Sequence, residues 1–226
     1  RCCFKKMQLH TRAVLLSTLT ILLAGTVAFA FLESRGEIGS MHLGNRILSS
    51  FFQSVTPRTA GFNSVDIASL SDSSKLVTML LMMIGAAPGG TGGGIKVTTL
   101  VVMLAAVLAQ LKARSDVSLG RSRLDGDTLR RAFCTVAIYL TTTVIGILIL
   151  SAQGQPLTDS AFECLSAIGT VGLTTGITQG LSPLSSIVII LLMYTGRVGG
   201  LTVFMAVAHS DNNGKLTNPI GRIIVG

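Results

Sequence analysis

Apolar and polar positions along the chain fall into a rhythm of long and short hydrophobic segments. Ala13 to Leu32 is twenty apolar, small or hydroxyl side chains without a charge, enough for a helix to cross a hydrocarbon core about 30 Å thick. Leu76 to Leu111 is apolar overall but is cut by Gly85-Ala86-Ala87-Pro88-Gly89-Gly90-Thr91-Gly92-Gly93-Gly94, which predicts a broken spanning helix. Ala132 to Ala152 is a third span, and Ser185 to Ala208 a fourth that carries Arg197 near its centre. Leu43 to Val55 and Leu157 to Ile168 are too short to cross, and segments of that length read as re-entrant. The order span, short helix, Gly-centred turn, span therefore occurs twice.

The two turns match. Thr59-Ala60-Gly61-Phe62-Asn63 and Thr170-Val171-Gly172-Leu173-Thr174 both read Thr, small, Gly, apolar, polar, with the glycines 111 positions apart. The same offset sets Gly89 opposite Gly200 and Thr91 opposite Thr202, so both second spans are expected to break at equivalent depth. Irregular backbone at membrane depth is tolerated only where it is buried in protein or lines water. Glycine accepts the left-handed or crowded conformations such a turn needs. Successive carbonyls can then replace the water shell of a monovalent cation, with the negative C-terminal end of the short helix aimed at the turn. A hairpin used only for packing is the alternative, and a doubled pattern in register argues against it.

Composition supports the membrane setting. Of 226 residues, 49% are hydrophobic and only 12% charged, with a mean hydropathy of +0.66. A soluble domain is about 25% charged, and disorder requires low hydrophobicity with high charge; both classes are excluded. The net charge of +8 does not describe a nucleic-acid footprint, because the basic residues sort by side. Arg1, Lys5, Lys6 and Arg12, then Lys112, Arg114, Arg121, Arg123, Arg130 and Arg131, then Lys215 and Arg222, all fall on one side of a four-span arrangement. Lys and Arg in short loops mark the cytoplasmic face, so both ends are expected inside a multi-pass plasma-membrane protein. The layout is a cytoplasmic segment 1–12, a first unit 13–111, a basic cytoplasmic loop 112–131, a second unit 132–208 and a cytoplasmic tail 209–226. The chain opens on Arg1 with no signal-peptide pattern and is read as part of a longer polypeptide.

Other chemistry is sparse. Cys2, Cys3, Cys134 and Cys164 lack zinc-ligand spacing; a reduced Cys2-Cys3 pair is favoured over a lipidated one. His10, His42 and His209 are scattered and form no nucleophile-base set, so no enzyme and no organic cofactor are expected. The run Gly85 to Gly94 is not a nucleotide cradle, which needs Gly-Lys-Ser/Thr after a strand; here Lys96 stands two places past Gly94 and is followed by Val97.

Four ordered motifs carry a family resemblance: Ser54-Val55-Thr56-Pro57-Arg58-Thr59-Ala60-Gly61-Phe62-Asn63, Pro88-Gly89-Gly90-Thr91-Gly92-Gly93-Gly94-Ile95-Lys96, Ile168-Gly169-Thr170-Val171-Gly172-Leu173-Thr174-Thr175-Gly176 and Gly196-Arg197-Val198-Gly199-Gly200-Leu201-Thr202. The chain resembles the C-terminal half of the Trk/Ktr/HKT superfamily of potassium transporters, in particular the Ktr-type (KtrB-like) membrane subunit of bacteria. The resemblance implies an all-α integral membrane fold of tandem span–pore-helix–span repeats, of which this chain shows the third and fourth of four. It implies a potassium filter built from the backbone carbonyls of Arg58, Thr59, Ala60, Gly61, Phe62 and Asn63 and of Gly169, Thr170, Val171, Gly172, Leu173 and Thr174. Potassium is then the transported ion, with sodium a second candidate, including as a symported ion.

The resemblance further implies that Gly85, Pro88, Gly89, Gly90, Thr91, Gly92, Gly93 and Gly94 form an intramembrane gate with Arg197, in a homodimer in the bacterial inner membrane. A cytosolic ring of nucleotide-binding regulatory (RCK-type, KtrA-like) subunits is the implied partner, with Lys112 to Arg131 and the tail as contact surfaces. An Arg at mid-membrane costs roughly 2.5–3.5 kcal/mol on insertion scales, so Arg197 is expected to face the pore, with loop carbonyls as partners, as a barrier to cations. Lys96 is read as solvated, and Asp159 and Glu163 as carboxylates favouring the positive end of the second short helix, with an outer cation-attracting role as the alternative. A secondary transporter holding its solute at broken-helix ends is the rival reading.

Overall fold

The computed structural model describes residues 8–199 apart from Arg35, Glu37, Thr91, Ser115, Gly120 and Arg121. The expected features at Thr91, Arg121, Gly200 and Thr202, and the tail 209–226, lie outside the described residues. Among the described residues seven α-helices follow in order: α1 (Leu9–Leu32), α2 (Leu43–Val55), α3 (Asp72–Met83), α4 (Val97–Leu111), α5 (Gly126–Ala152), α6 (Leu157–Ile168) and α7 (Pro183–Val198). The short helices α2 and α6 coincide with the two short apolar segments. Apolar pattern alone misplaces other boundaries, because caps set them. The Ser71 hydroxyl accepts the Ser74 N–H and starts α3 four residues before Leu76. Ser182 does the same for Ser185, with Pro183 in the first turn of α7. Helix α5 reaches back to Gly126, which places Arg130 and Arg131 on the helix and not in a loop. The basic segment between α4 and α5 also departs from all-α structure, with a small antiparallel pair, β1 (Ser118–Leu119) and β2 (Ser122–Arg123).

Two helices, α1 and α5, are long and apolar enough to cross a membrane. Only 11% and 22% of their most apolar windows are buried, and Leu16, Leu19, Leu23, Val27 and Phe31 on α1 are exposed. A helix in a soluble core hides such a face; an apolar face left open over this length marks a surface for lipid or for another protein.

Each short helix folds back on its own unit. Helix α2 lies along α1, where the Ser54 hydroxyl donates to the Leu22 carbonyl at 2.8 Å and Arg46 Nη2 to the Ala30 carbonyl at 2.7 Å. A Cβ on Gly25 would sit 2.3 Å from Ser54 Oγ, so a small residue there permits the approach. Helix α6 is held between α5 and α7, and α3 also packs on it. A shared core of Ile67, Met79 and Met82 from the first unit with Phe162, Val171 and Leu173 from the second joins the two. Just past the end of α1, the buried Glu33 carboxylate accepts the Ser71 N–H at 3.0 Å and the Ser71 hydroxyl at 2.8 Å, at the start of α3. Burial by itself raises the Glu33 pKa, but hydrogen bonds from Ser74 and Ser71 outweigh it and hold it below its ordinary value.

Gly25→Val must push α2 off α1 and overpack the contact, costing about 1–3 kcal/mol. The expected result is a lower midpoint of thermal unfolding in detergent, followed by size-exclusion chromatography, with the protein still reaching the membrane.

Candidate functional site

Both short helices end in turns with the same backbone signature. After α2, Thr59 has φ +70° and Gly61 φ +73°; after α6, Thr170 has φ +53° and Gly172 φ +90°. Among the described residues only three non-glycine positions have positive φ, and two of them are these threonines. A left-handed non-glycine residue costs about 1–2 kcal/mol and persists only where its surroundings impose it. Here the helix ends impose it. Ala60 and Gly61 both donate to the Thr56 carbonyl, at 3.2 and 3.1 Å; Val171 donates to the Ser166 carbonyl at 2.9 Å. The return arms are tied back by matching hydroxyls, Thr56 Oγ1 to the Phe62 carbonyl and Ser166 Oγ to the Leu173 carbonyl, both at 2.6 Å. A stretch that alternates left-handed with ordinary residues does not flip successive peptides as a β-strand does, so its carbonyls can share a side.

The turns meet each other. A Cβ on Gly61 would lie 2.1 Å from the Val171 carbonyl oxygen, whereas one on Gly172 would meet nothing within 4 Å. Side chains fare differently in the two: Phe62 is 69% exposed, while Val171 and Leu173 are buried in the shared core.

The glycine segment lies against both turns. Its ends are zipped together, with Gly85 N–H donating to the Ile95 carbonyl at 2.9 Å and Ile95 N–H to the Met83 carbonyl at 3.0 Å, so it is a closed loop with a defined stem. Arg58 Nη2 approaches the Gly85 carbonyl at 3.4 Å. Gly93 N–H donates to Thr170 Oγ1 at 2.6 Å. Added Cβ atoms on Gly92 and Gly93 would fall 2.8 Å from Thr59 Oγ1 and 2.7 Å from Thr170 Cγ2. Of the residues expected in this loop, Gly92 and Gly93 pack against Thr59 and Thr170, Gly85 and Gly94 pack against each other at the stem, Pro88 is half-buried, and Gly89 and Gly90 are exposed.

Arg197 stands in the last turn of α7, which ends at Val198, and not at the middle of a continuous helix. With Gly90, Gly92, Lys96, Tyr139, Gly196 and Gly199 it lines a cavity of about 390 Å³ beside the loop. Lys96 is not simply solvated: its Nζ donates to the Gly92 carbonyl. Tyr139, which sequence reasoning passed over, donates to the Gly196 carbonyl at 3.2 Å. Glu163 is likewise displaced from its expected place. Asp159 is in the first turn of α6, but Glu163 lies well inside the helix, 5% exposed. Among the described residues no group of three or more His, Cys, Asp and Glu could hold a metal ion.

Two repeated units, each with a short helix that ends in a left-handed turn facing its counterpart, make a mostly helical tandem-repeat architecture. A crystal structure of the potassium transporter TrkH from Vibrio parahaemolyticus shares the fold at a TM-score of 0.74, with 19% identity, over 85% of this chain and 43% of that one. Residues 1–216 match the model of the TrkH family of cation transport proteins, and the chain belongs to that family. It is 35% identical over 226 residues to the Ktr system potassium uptake protein B of Bacillus subtilis, covering 99% of this chain and 51% of that protein. It is 37% identical over 222 residues to the potassium/sodium uptake protein NtpJ of Enterococcus hirae, covering 93% and 48%. The chain thus spans about half the length of these relatives.

The two glycines are unequal in their surroundings. Gly172→Ala adds backbone strain of about 1–2 kcal/mol and meets open space. Gly61→Ala adds the same strain and a collision with backbone. Gly61→Ala is therefore expected to lower the unfolding midpoint in detergent more than Gly172→Ala; equal shifts would contradict the facing of the two turns.

Proposed function

We propose that the chain supplies the third and fourth units of a four-unit potassium uptake subunit, and that the carbonyls of Thr59 to Asn63 and Gly169 to Thr174 form half of its selectivity filter. The observation that carries the reading is the shared signature: left-handed Thr, ordinary residue, left-handed Gly, twice, at the ends of two short helices, with the turns in backbone contact. Packing alone does not call for strain in duplicate at matched positions. The relatives named for potassium uptake, and for potassium and sodium, supply the ion; potassium is the proposed cargo and sodium a second.

In this reading the closed loop 85–95 lies across the inner end of the filter and blocks it. Its fastening to Thr170 through Gly93, and Lys96 gripping Gly92, keep it there. Arg197 sets a fixed positive charge beside the same cavity, which raises the barrier to any cation leaving the filter. Opening requires the loop to release Thr170. The energy for that release would come from outside this chain: the proposed partners are a second copy of the subunit and a cytosolic nucleotide-binding ring on the basic stretch from Lys112 to Arg131.

The test is potassium uptake by the full-length protein in cells lacking their own uptake systems. Uptake is expected with the native sequence and is expected to lose its potassium preference in Gly172→Ser. Arg197→Gln is expected to raise flux several-fold, as one charge leaves the pathway. Absence of potassium uptake by well-expressed native protein overturns the functional reading, and an unchanged flux in Arg197→Gln overturns the barrier.

A further inference from the structure

Resting on the filter reading above, we propose that Glu163 is a positioning residue for ion discrimination: its buried carboxylate braces the return arm of the second turn from behind and so sets the spacing of that turn's carbonyls. The two short helices superpose in sequence with an offset of 110, one less than the turns, pairing Phe52-Gln53-Ser54-Val55-Thr56 with Phe162-Glu163-Cys164-Leu165-Ser166. The hydroxyl anchors confirm this register, since Thr56 holds the carbonyl six residues on and Ser166 the carbonyl seven residues on. Gln53 and Glu163 therefore occupy one structural position, and both are buried, at 1% and 5% exposure.

What they do there differs. Gln53 Nε2 is buried without a hydrogen-bond partner. Glu163 receives three donors: the Thr174 hydroxyl, the Thr175 N–H at 3.2 Å and the Thr178 hydroxyl at 3.0 Å. Three converging donors suit a carboxylate, which accepts and does not donate, and do not suit an amide. Thr174 in turn accepts the Gly176 N–H at 2.9 Å, where the chain reverses at φ +103°. With Ser166 holding the Leu173 carbonyl, every residue from Leu173 to Gly176 is fixed directly or through one neighbour to α6. The first turn has only the Thr56 anchor of this kind, and its Phe62 and Asn63 are exposed. On the snug-fit account of selectivity, carbonyls that resist closing around the smaller ion are what discriminate against it. The second turn has the brace for that, and Glu163 is its centre. The one-residue difference between helix and turn offsets hides the pairing of Glu163 with Gln53 in the sequence.

The experiment compares potassium uptake and its competition by sodium in Glu163→Gln, Glu163→Asp, Thr178→Val and the Glu163→Gln/Thr178→Val double variant of the full-length protein, at matched membrane levels. Loss of a charge-assisted hydrogen bond predicts that Glu163→Gln lowers potassium-over-sodium discrimination about tenfold, with Thr178→Val smaller. The double variant is expected to be no worse than Glu163→Gln alone, since the Thr178 hydroxyl acts through the Glu163 carboxylate, and Glu163→Asp to recover part of the discrimination. Native discrimination in Glu163→Gln, or additive losses in the double, overturns the proposal. Should Glu163→Gln fail to reach the membrane, Thr178→Val decides, and unchanged discrimination there overturns it. Gly172→Ser is run alongside: if it too leaves discrimination intact, the filter reading fails, whereas an effect in Gly172→Ser without one in the Glu163 and Thr178 variants removes only the role of Glu163.

Discussion

Backbone meets backbone where Gly61 faces the Val171 carbonyl, and the rest of the molecule is arranged to allow that contact. No side chain fits in the gap, so the two turns approach only because one of them lacks a Cβ. Their shape comes from a cost: threonines in the left-handed region at about 1–2 kcal/mol each, held there by bonds from helix ends and by Thr56 and Ser166 hydroxyls. The short helices exist to deliver those bonds. The long helices α1 and α5 position the short ones by close contacts such as Gly25 against Ser54.

The glycine loop follows the same logic of omitted side chains. Gly92 and Gly93 lie under Thr59 and Thr170 at distances where any Cβ would collide, so glycine here provides close approach as much as mobility. The loop is also better held than a run of six glycines suggests, because Gly85 and Ile95 close its stem and Lys96 holds Gly92. The segment is thus held at its stem and, through Gly93, on Thr170. Lys96 and Arg197 lining one cavity place two positive charges together, which suits a barrier to cations better than a binding site for them.

The brace around Glu163 and the lone anchor of Thr56 show how a duplicated unit diverges. Both units keep the turn and its hydroxyl tie. Only the second carries an acid at the buried helix position, and only its return arm is tied down through that position. The two units thus share the left-handed Thr and Gly of the turn and its hydroxyl tie, and differ in the turns' side chains and in the support behind them.

Hydrophobic periodicity and glycine placement determined, without a structure, the long apolar helices α1 and α5, the two short helices and the matched turns around Gly61 and Gly172. These follow from local rules: an apolar run needs lipid or a core, and a crowded left-handed turn needs glycine. Helix starts at Ser71 and Ser182, the place of Arg197 in a last turn, and the bond from Lys96 to Gly92 were decided by capping and by contacts between segments distant in the chain. So were the facing of Gly61 on Val171, the seating of the loop on Thr170 and the convergence of Thr174, Thr175 and Thr178 on Glu163. Each needs two pieces of chain brought together in space, and a sequence records which groups could meet, not which ones packing brings within reach.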